Sequence, residues 1–473
     1  MSAARKDPGA ARRQSAKDAR AAAEDAAAQA DLERVYQHIV SRAPEHDFDP
    51  TIDRVRRLFE LLGDPQHAFR TIHLTGTNGK TSTARVAERL VREHGLRTGL
   101  FTSPHLTSVT ERIVVDGEPL SARRFVEVWE DVYPYVQVVD AELAETGQSQ
   151  LSFFEVLTGV AFAAFADTPV DVAIVEVGMG GEWDSTNVVD AEVAVVTPVA
   201  LDHERWLGST LEEIATVKSG IVKEGATVVS AAQRPEVEEV LRARAERVGA
   251  RLLREGVDLD VAARQVAVGG QLLDLRTPAA LYTEVFLPLH GEHQAHNALL
   301  ALGAVEAFLG GRALDGTLVE AAFADVTSPG RLEVVRSSPT VLVDAAHNAA
   351  GAEALATALG GAVDLRHLVG VVAIMADKDA EPLLAALEPV LAEIVVTRNS
   401  SERSADPTEL AELAADVFGE DRLHSTERLD EALQVAVDLV ERDDAVGVGT
   451  GTGVLVTGSV VTVADARVLL GRG

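Results

Sequence analysis

Residues 74–82 read LTGTNGKTS, placing a lysine and two hydroxyls at the end of a glycine-rich turn. An apolar strand, residues 71–74, leads into Gly76, Thr77, Asn78, Gly79, Lys80, Thr81 and Ser82. A helical pattern leaves the turn, with Ala84, Val86, Ala87, Leu90 and Val91 on its apolar face. Strand, glycine turn and helix start together make a phosphate cradle. Glycine permits positive φ and close backbone approach. Free N–H groups and the helix dipole attract an anion at the helix start. Lys80 then supplies a point charge for β- and γ-phosphates, and Thr81 or Ser82 a hydroxyl near Mg²⁺. The loop is a short variant, because the strict pattern would put its first glycine at Leu74.

Further residues that could do chemistry follow apolar runs. Ser103 follows one such run, Glu176 lies near the end of VDVAIVEV, and Asp202 and His203 follow residues 193–196. Ligands of open α/β sheets sit outside the carboxyl ends of the strands. Ligands from three strand ends could therefore hold Mg²⁺ beside the phosphates. The spacing alone also allows a Glu176 paired with a neighbouring cation and a His203 that caps a loop, since Mg²⁺ prefers carboxylate and water. Lys218 falls in a helical stretch, residues 212–222, where an ordinary surface lysine is the simpler reading. Asp344 and His347 follow the run VLV, where they could face a nucleotide or cap a helix. Arg331, just past a Thr-Ser-Pro-Gly linker, is placed to reach phosphates across a cleft. Gly447, Gly449, Gly451 and Gly453 alternate without a long following helix and read as turn chemistry.

The elements that must position these groups alternate. Residues 1–30, rich in Ala, Arg, Lys and Asp, are expected to be a disordered or frayed helical tail. Helices are expected over 31–41, 51–62, 122–145, 153–166 and 294–309, and strands over 98–102, 170–177 and 193–196. Strands alternating with helices imply a parallel, doubly wound α/β sheet. Residues 263–289 change to alternation and read as an antiparallel hairpin. A second α/β series follows the linker, with strands at 341–343, 368–374, 394–397 and 445–448. The expected division is a tail at 1–30, a P-loop domain at 31–328 and a smaller domain at 329–473. A chain of 473 residues exceeds one ordinary core.

Bulk properties narrow the chemistry. There is no cysteine, which excludes disulfides, thiolate metal sites and a cysteine nucleophile. A formal net charge of −31 argues against a broad basic nucleic-acid surface, so anionic substrates need local basic pockets. No apolar run approaches the roughly 20 residues of a membrane span, and no secretory signal is visible. The expectation is a cytoplasmic protein without nucleic-acid or membrane partners.

The segments DRVRRLFELLGDP, HLTGTNGKTS, TSPHL, SFFE, VEVGMGGEWDSTN, LDHERWLG, VKSGIVKEG, GEHQAHN, SPGR, DAAHNAAG and ADKD occur in that order after Asp49. Together they resemble the folylpolyglutamate synthase and dihydrofolate synthase family of the Mur ligase superfamily. The resemblance implies a Mur-type P-loop ATPase domain followed by a smaller Rossmann-like domain. It implies that ATP phosphorylates a carboxylate and that L-glutamate attacks the acyl phosphate, releasing ADP and phosphate. The acceptor would be dihydropteroate or the glutamate tail of a tetrahydrofolate. By the same resemblance, Ser103, Glu176 and His203 match Mg²⁺ positions, and Lys218 matches a carbamylated lysine beside a second Mg²⁺. Lys80, Lys218, Asp344 and His347 are the catalytic candidates. Asn297, Arg331, Asp344 and His347 match nucleotide contacts, and Ser152, Phe154 and Asp184 match the pterin side. A monovalent cation and a monomeric state are implied as well. The chain departs from the family pattern at Glu182, where arginine is usual, at Ala349, where proline is common, and at Thr81, in place of a common glycine. Alternative readings are a Mur-type ligase for another carboxylate acceptor, a slow NTP-hydrolysing regulatory module, and an inert scaffold.

Overall fold

The computed structural model describes residues 8–43, 50–362, 367–443 and 451–472. Its first sheet has eight strands: β1 (Arg70–Thr75), β2 (Thr98–Phe101), β3 (Ile113–Val115), β4 (Glu118–Pro119), β5 (Val172–Glu176), β6 (Val193–Val196), β7 (Thr227–Ser230) and β8 (Arg251–Arg254). Their order is β4-β3-β2-β5-β1-β6-β7-β8. The six strands from β2 to β8 in that order run parallel, and β3 and β4 form an antiparallel edge. Runs such as VAIVE are buried along their whole length, as strands covered on both faces must be. From β1 the chain passes to one side of the sheet, and after β6 it builds the other. The carboxyl ends of β1, β5 and β6 thus open one crevice at the point where the order reverses.

One face of the sheet carries the Lys80–Glu93 and Glu292–Phe308 helices, which share a core with Ile72, Leu74, Ile174 and Val195. The other carries the Asp53–Leu61, Ala122–Glu145 and Phe153–Asp167 helices around Phe59, Phe101 and Phe162. The Pro8–Val40 helix docks there through Leu32 and Ile39, and its Arg20–Gln29 stretch is largely exposed. Residues 8–30 are thus helical and continuous with the docked turn: alanine, glutamine, glutamate and arginine favour helix without needing a packed face.

The expected hairpin at 263–289 is instead a three-stranded antiparallel sheet, β9 (Asp260–Ala267), β10 (Gly270–Arg276) and β11 (Leu281–Leu287). Its first strand escapes the pattern because most of its residues face solvent. The second sheet holds β12 (Glu333–Ser337), β13 (Thr340–Val343), β14 (His367–Val372), β15 (Glu393–Val396), β16 (Leu423–Ser425) and β17 (Thr452–Thr457). Its order is β12-β13-β17-β14-β15-β16, parallel except for β12. The strand expected at 445–448 lies outside the described residues. The central strand β17 begins beside Gly453, which pairs with Thr340 and Leu368 rather than turning the chain. Glycine and threonine flanking three apolar residues hide a strand buried from Gly453 to Thr457.

Candidate active site

Gly76 and Gly79 shape the turn after β1. Gly76 has φ +140°, and a Cβ there would stand 1.9 Å from Thr197 Oγ1. Gly79 opens the Lys80–Glu93 helix at φ +90°, where a Cβ would stand 2.4 Å from Asn297 Oδ1. Asn297, itself oriented by its bond to Gln294 Oε1 at 3.1 Å, therefore lies against the turn. Lys80 Nζ donates to the carbonyls of Gly76 and Thr77, both at 3.1 Å. Lys218 Nζ donates to the same Gly76 carbonyl at 2.8 Å. Two lysine amino groups thus converge on one backbone oxygen at the mouth of the crevice.

Lys218 is buried, contrary to the surface reading, because its helix packs Ile214 and Ala215 into the core beside β6. Burial first, and the Lys80 cation second, push its ammonium down to about 7. The uncharged amine, well populated at neutral pH, is the form able to react as a nucleophile.

Glu176 ends β5 and is buried. Its two carboxylate oxygens accept from the Thr81 hydroxyl at 3.0 and 2.9 Å, and one accepts from the Ser103 amide at 3.3 Å. Burial raises its pKa, opposed by Lys80 and these donors. Thr81, a departure from the family pattern, is thus the hydroxyl on Glu176, while the Ser82 hydroxyl meets Ser328 Oγ at 3.0 Å. Hydroxyl and carboxylate oxygens beside a phosphate cradle suit a hard cation such as Mg²⁺. Among the described residues no three His, Cys, Asp or Glu side chains form a metal cluster. The donor set here is one carboxylate and hydroxyls. His203, at φ +52°, starts the short Glu204–Leu207 helix within electrostatic range of Lys80 and Lys218.

The second sheet reaches this crevice through residues after β13. Asp344 is buried and accepts from the Leu332 amide at 2.8 Å and the Ala346 amide at 2.9 Å. Burial raises its pKa, against Arg331. Burial lowers the His347 imidazole, against the pull of Asp202. Asn78 of the turn and Asn348 exchange side-chain hydrogen bonds at 3.1 and 3.2 Å. Asp202 accepts from Asn348 at 3.1 Å and from Lys378 at 2.5 Å, with His347 Nε2 at 3.8 Å. Burial would raise this carboxylate, but the His203 ring, the Lys378 ammonium and the His347 ring beside it hold it well below the usual range. Asp202, Asn348 and Lys378 join the two sheets. Sequence spacing assigns none of them that bridging role, although LDHERWLG, DAAHNAAG and ADKD mark the segments that carry them.

Ser152, Phe154 and Asp184 occupy the opposite flank of β5 from the Lys80–Glu93 helix core. Ser152 caps the Phe153–Asp167 helix by a reciprocal box with Glu155, which Arg54 holds at 2.7 Å. Phe154 stacks on Phe101 at 5.6 Å and lies edge-on against Gly178. Asp184 is buried and accepts from Met179 and Thr186 amides at 2.9 Å and from the Thr186 hydroxyl at 2.5 Å. That hydroxyl also meets His73 Nε2 at 2.8 Å, so a β1 histidine orders the Asp184 loop from within. Burial pushes His73 down to about 3, leaving it neutral.

Residues 74–305 match the Mur ligase middle domain, and residues 330–459 match the Mur ligase glutamate ligase domain. The dihydrofolate synthase/folylpolyglutamate synthase of Mycobacterium tuberculosis is 48% identical over 460 residues, 94% of each chain. The protein of that name from Bacillus subtilis is 32% identical over 88% of this chain and 94% of its own. Crystal structures of the M. tuberculosis folylpolyglutamate synthase complexed with ADP and AMPPCP superpose at TM-score 0.90, with 48% identity, 94% of this chain and 99% of that one. An FPGS–AMPPCP–folate complex superposes at TM-score 0.80, with 29% identity, 93% of this chain and 99% of that one. The fold, the order of the motifs and this identity along nearly the whole length place the chain in the folylpolyglutamate synthase/dihydrofolate synthase family of the Mur ligases.

Proposed function

We propose that the chain is an ATP-dependent ligase that adds L-glutamate to tetrahydrofolate tails and to dihydropteroate. The observation that carries this reading is the convergence of Lys80 and Lys218 on the Gly76 carbonyl, beside buried Glu176. Lys80 at the glycine-rich turn suits a polyanion, and the depressed amine of Lys218 beside it suits carbamylation. The relatives' names and their ADP and AMPPCP complexes support ATP and a folate acceptor.

The reaction then follows from charge. An acceptor carboxylate oxygen attacks the γ-phosphorus, the bond to ADP breaks, and an acyl phosphate forms. The uncharged amine of glutamate attacks the acyl carbon, the tetrahedral adduct expels phosphate, and the amide nitrogen loses its proton. Two anions must meet in the first step, so positioning and charge neutralisation dominate. Lys80 binds the β- and γ-phosphates, and the turn amides from Gly76 to Ser82 cradle them. Ser103, Glu176 and His203 would hold Mg²⁺, which neutralises phosphate charge when bound. Lys218, as a carbamate, would hold a second Mg²⁺. Asn297, Arg331, Asp344 and His347 orient the nucleotide across the cleft. Ser152, Phe154 and Asp184 shape the pterin side. Holding both reactants in place lowers the barrier by roughly 7–11 kcal/mol. The domains are taken as 31–328 and 329–473, the protein as a cytoplasmic monomer; among the described residues no helix is long and apolar enough to cross a membrane.

The test is product mass, with ATP, Mg²⁺ and L-glutamate supplied to dihydropteroate, tetrahydrofolate or a nucleotide-sugar peptide. A gain of one glutamyl residue on both folate acceptors is expected. A gain on tetrahydrofolate alone removes the dihydrofolate synthase activity. A gain on the sugar peptide alone overturns the folate reading.

A further inference from the structure

A cavity of about 220 Å³ lies outside the crevice, between the Lys80–Glu93 helix, the loop after β2, the β3–β4 turn and the linker before Arg331. Four arginines line it: Arg85, Arg89, Arg92 and Arg467. Three have carboxylate partners. Arg89 pairs with Glu93 and with Asp325, the latter at 3.0 Å; Arg92 pairs with Glu88 at 2.9 Å; Arg467 pairs with Glu333.

Arg85 is different. It is half-buried, one helical turn past Thr81, and among the described residues it makes no hydrogen bond or ion pair. The carboxylates that act on it, Glu176, Glu111 and Glu88, do so at longer range, and Arg331 opposes them. Glu111 is already engaged, because it accepts from the amides of Leu106, Thr107 and Ser108 and from the Thr107 hydroxyl. Glu88 is taken by Arg92 and the Thr98 hydroxyl. A guanidinium carries five N–H donors in a planar fork. Without a protein partner the fork is left to water or a ligand, and its geometry matches a carboxylate or phosphate.

We propose that this cavity is a second anion site, in which Arg85 binds one small oxyanion of carboxylate or phosphate type. The volume is below the roughly 300–1,000 Å³ of pockets for drug-sized ligands, so it admits no folate. Two sources share the chemistry: glutamate carboxylate and free phosphate. The site touches the P-loop helix through Arg85 and the linker through Thr327 and Pro329. Leu106, also on its wall, packs into the core of the second sheet. A bound anion would brace these three elements against one another.

The test uses the full chain without nucleotide and requires no turnover, so it stands whether or not the ligase reading does. Inorganic phosphate and L-glutamate are titrated separately by calorimetry and thermal melting. The Lys80→Ala background weakens phosphate binding at the turn. In that background at least one of the two anions is expected to bind at one site and raise Tm. Adding Arg85→Met is expected to weaken that binding at least tenfold and abolish the Tm rise. Response to glutamate alone, phosphate alone or both identifies the source and supports the site. Binding unchanged by Arg85→Met, or no binding of either anion in the Lys80→Ala background, overturns it. Should Arg85→Met not fold, crystals of the unaltered chain soaked in each anion decide the question: density on Arg85 supports the site, and an empty cavity overturns it.

Discussion

Lys80 and Lys218 share an acceptor yet differ in legibility and in chemistry. Lys80 is readable because its turn, strand and helix are contiguous in the chain. Lys218 is not, because an isolated lysine in a helical stretch reads as exposed until the fold buries its face. For Lys80→Ala, activity should fall on the order of a thousandfold, the scale of losing one charge-stabilising donor, with the melting curve little changed. A steady-state assay with activity near that of the parent would contradict the turn's role. For Lys218→Ala, a large loss partly restored by a short-chain carboxylate is expected, and full activity without rescue would dismiss the carbamate. Its pH behaviour has a definite sign. The folded ammonium is depressed from 10.5 to about 7, so the amine is protonated below about 7 and free above it. Reactivation of bicarbonate-depleted enzyme by bicarbonate should therefore be faster at pH 8 than at pH 6. The same depression makes unfolding take up a proton between those two pKa values. Stability is thus lowered below about 7 and recovers as pH rises toward 10.5.

At the scale of elements, the parallel sheet is legible because buried strands such as VAIVE are continuous apolar runs bounded by turn residues. β9 and β17 are not. The first is mostly exposed, and the second hides behind Gly453, which pairs instead of turning. The Lys80–Glu93 helix depends on the residue before it being unobstructed. Gly79→Ala places a Cβ at φ +90° within 2.4 Å of Asn297 Oδ1. A strained backbone residue costs about 1–3 kcal/mol. The expected result is a lowered Tm together with nucleotide affinity weakened at least tenfold, read by calorimetry. A variant with unchanged affinity would show that the helix start need not be fixed.

For the whole molecule, closure rests on contacts invisible to local pattern. Asp202 and Lys378 are 176 positions apart, and Asn78 and Asn348 are 270 apart. Only the packing of two sheets brings them together. Lys378→Met leaves the Asp202 carboxylate, only 8% exposed, without its cation. Breaking one partner of such a pair costs about 3 kcal/mol. Small-angle scattering of the nucleotide-free variant should show a larger radius of gyration, and an unchanged radius would mean that other contacts hold the halves together. The crevice is proposed to couple ATP cleavage to amide formation between a folate carboxylate and glutamate. The most direct test is ADP release measured with each substrate omitted in turn. Release is expected only with ATP, Mg²⁺, a folate-type acceptor and L-glutamate all present. Steady release without an acceptor would instead show a hydrolysing module and rule out the coupled ligation.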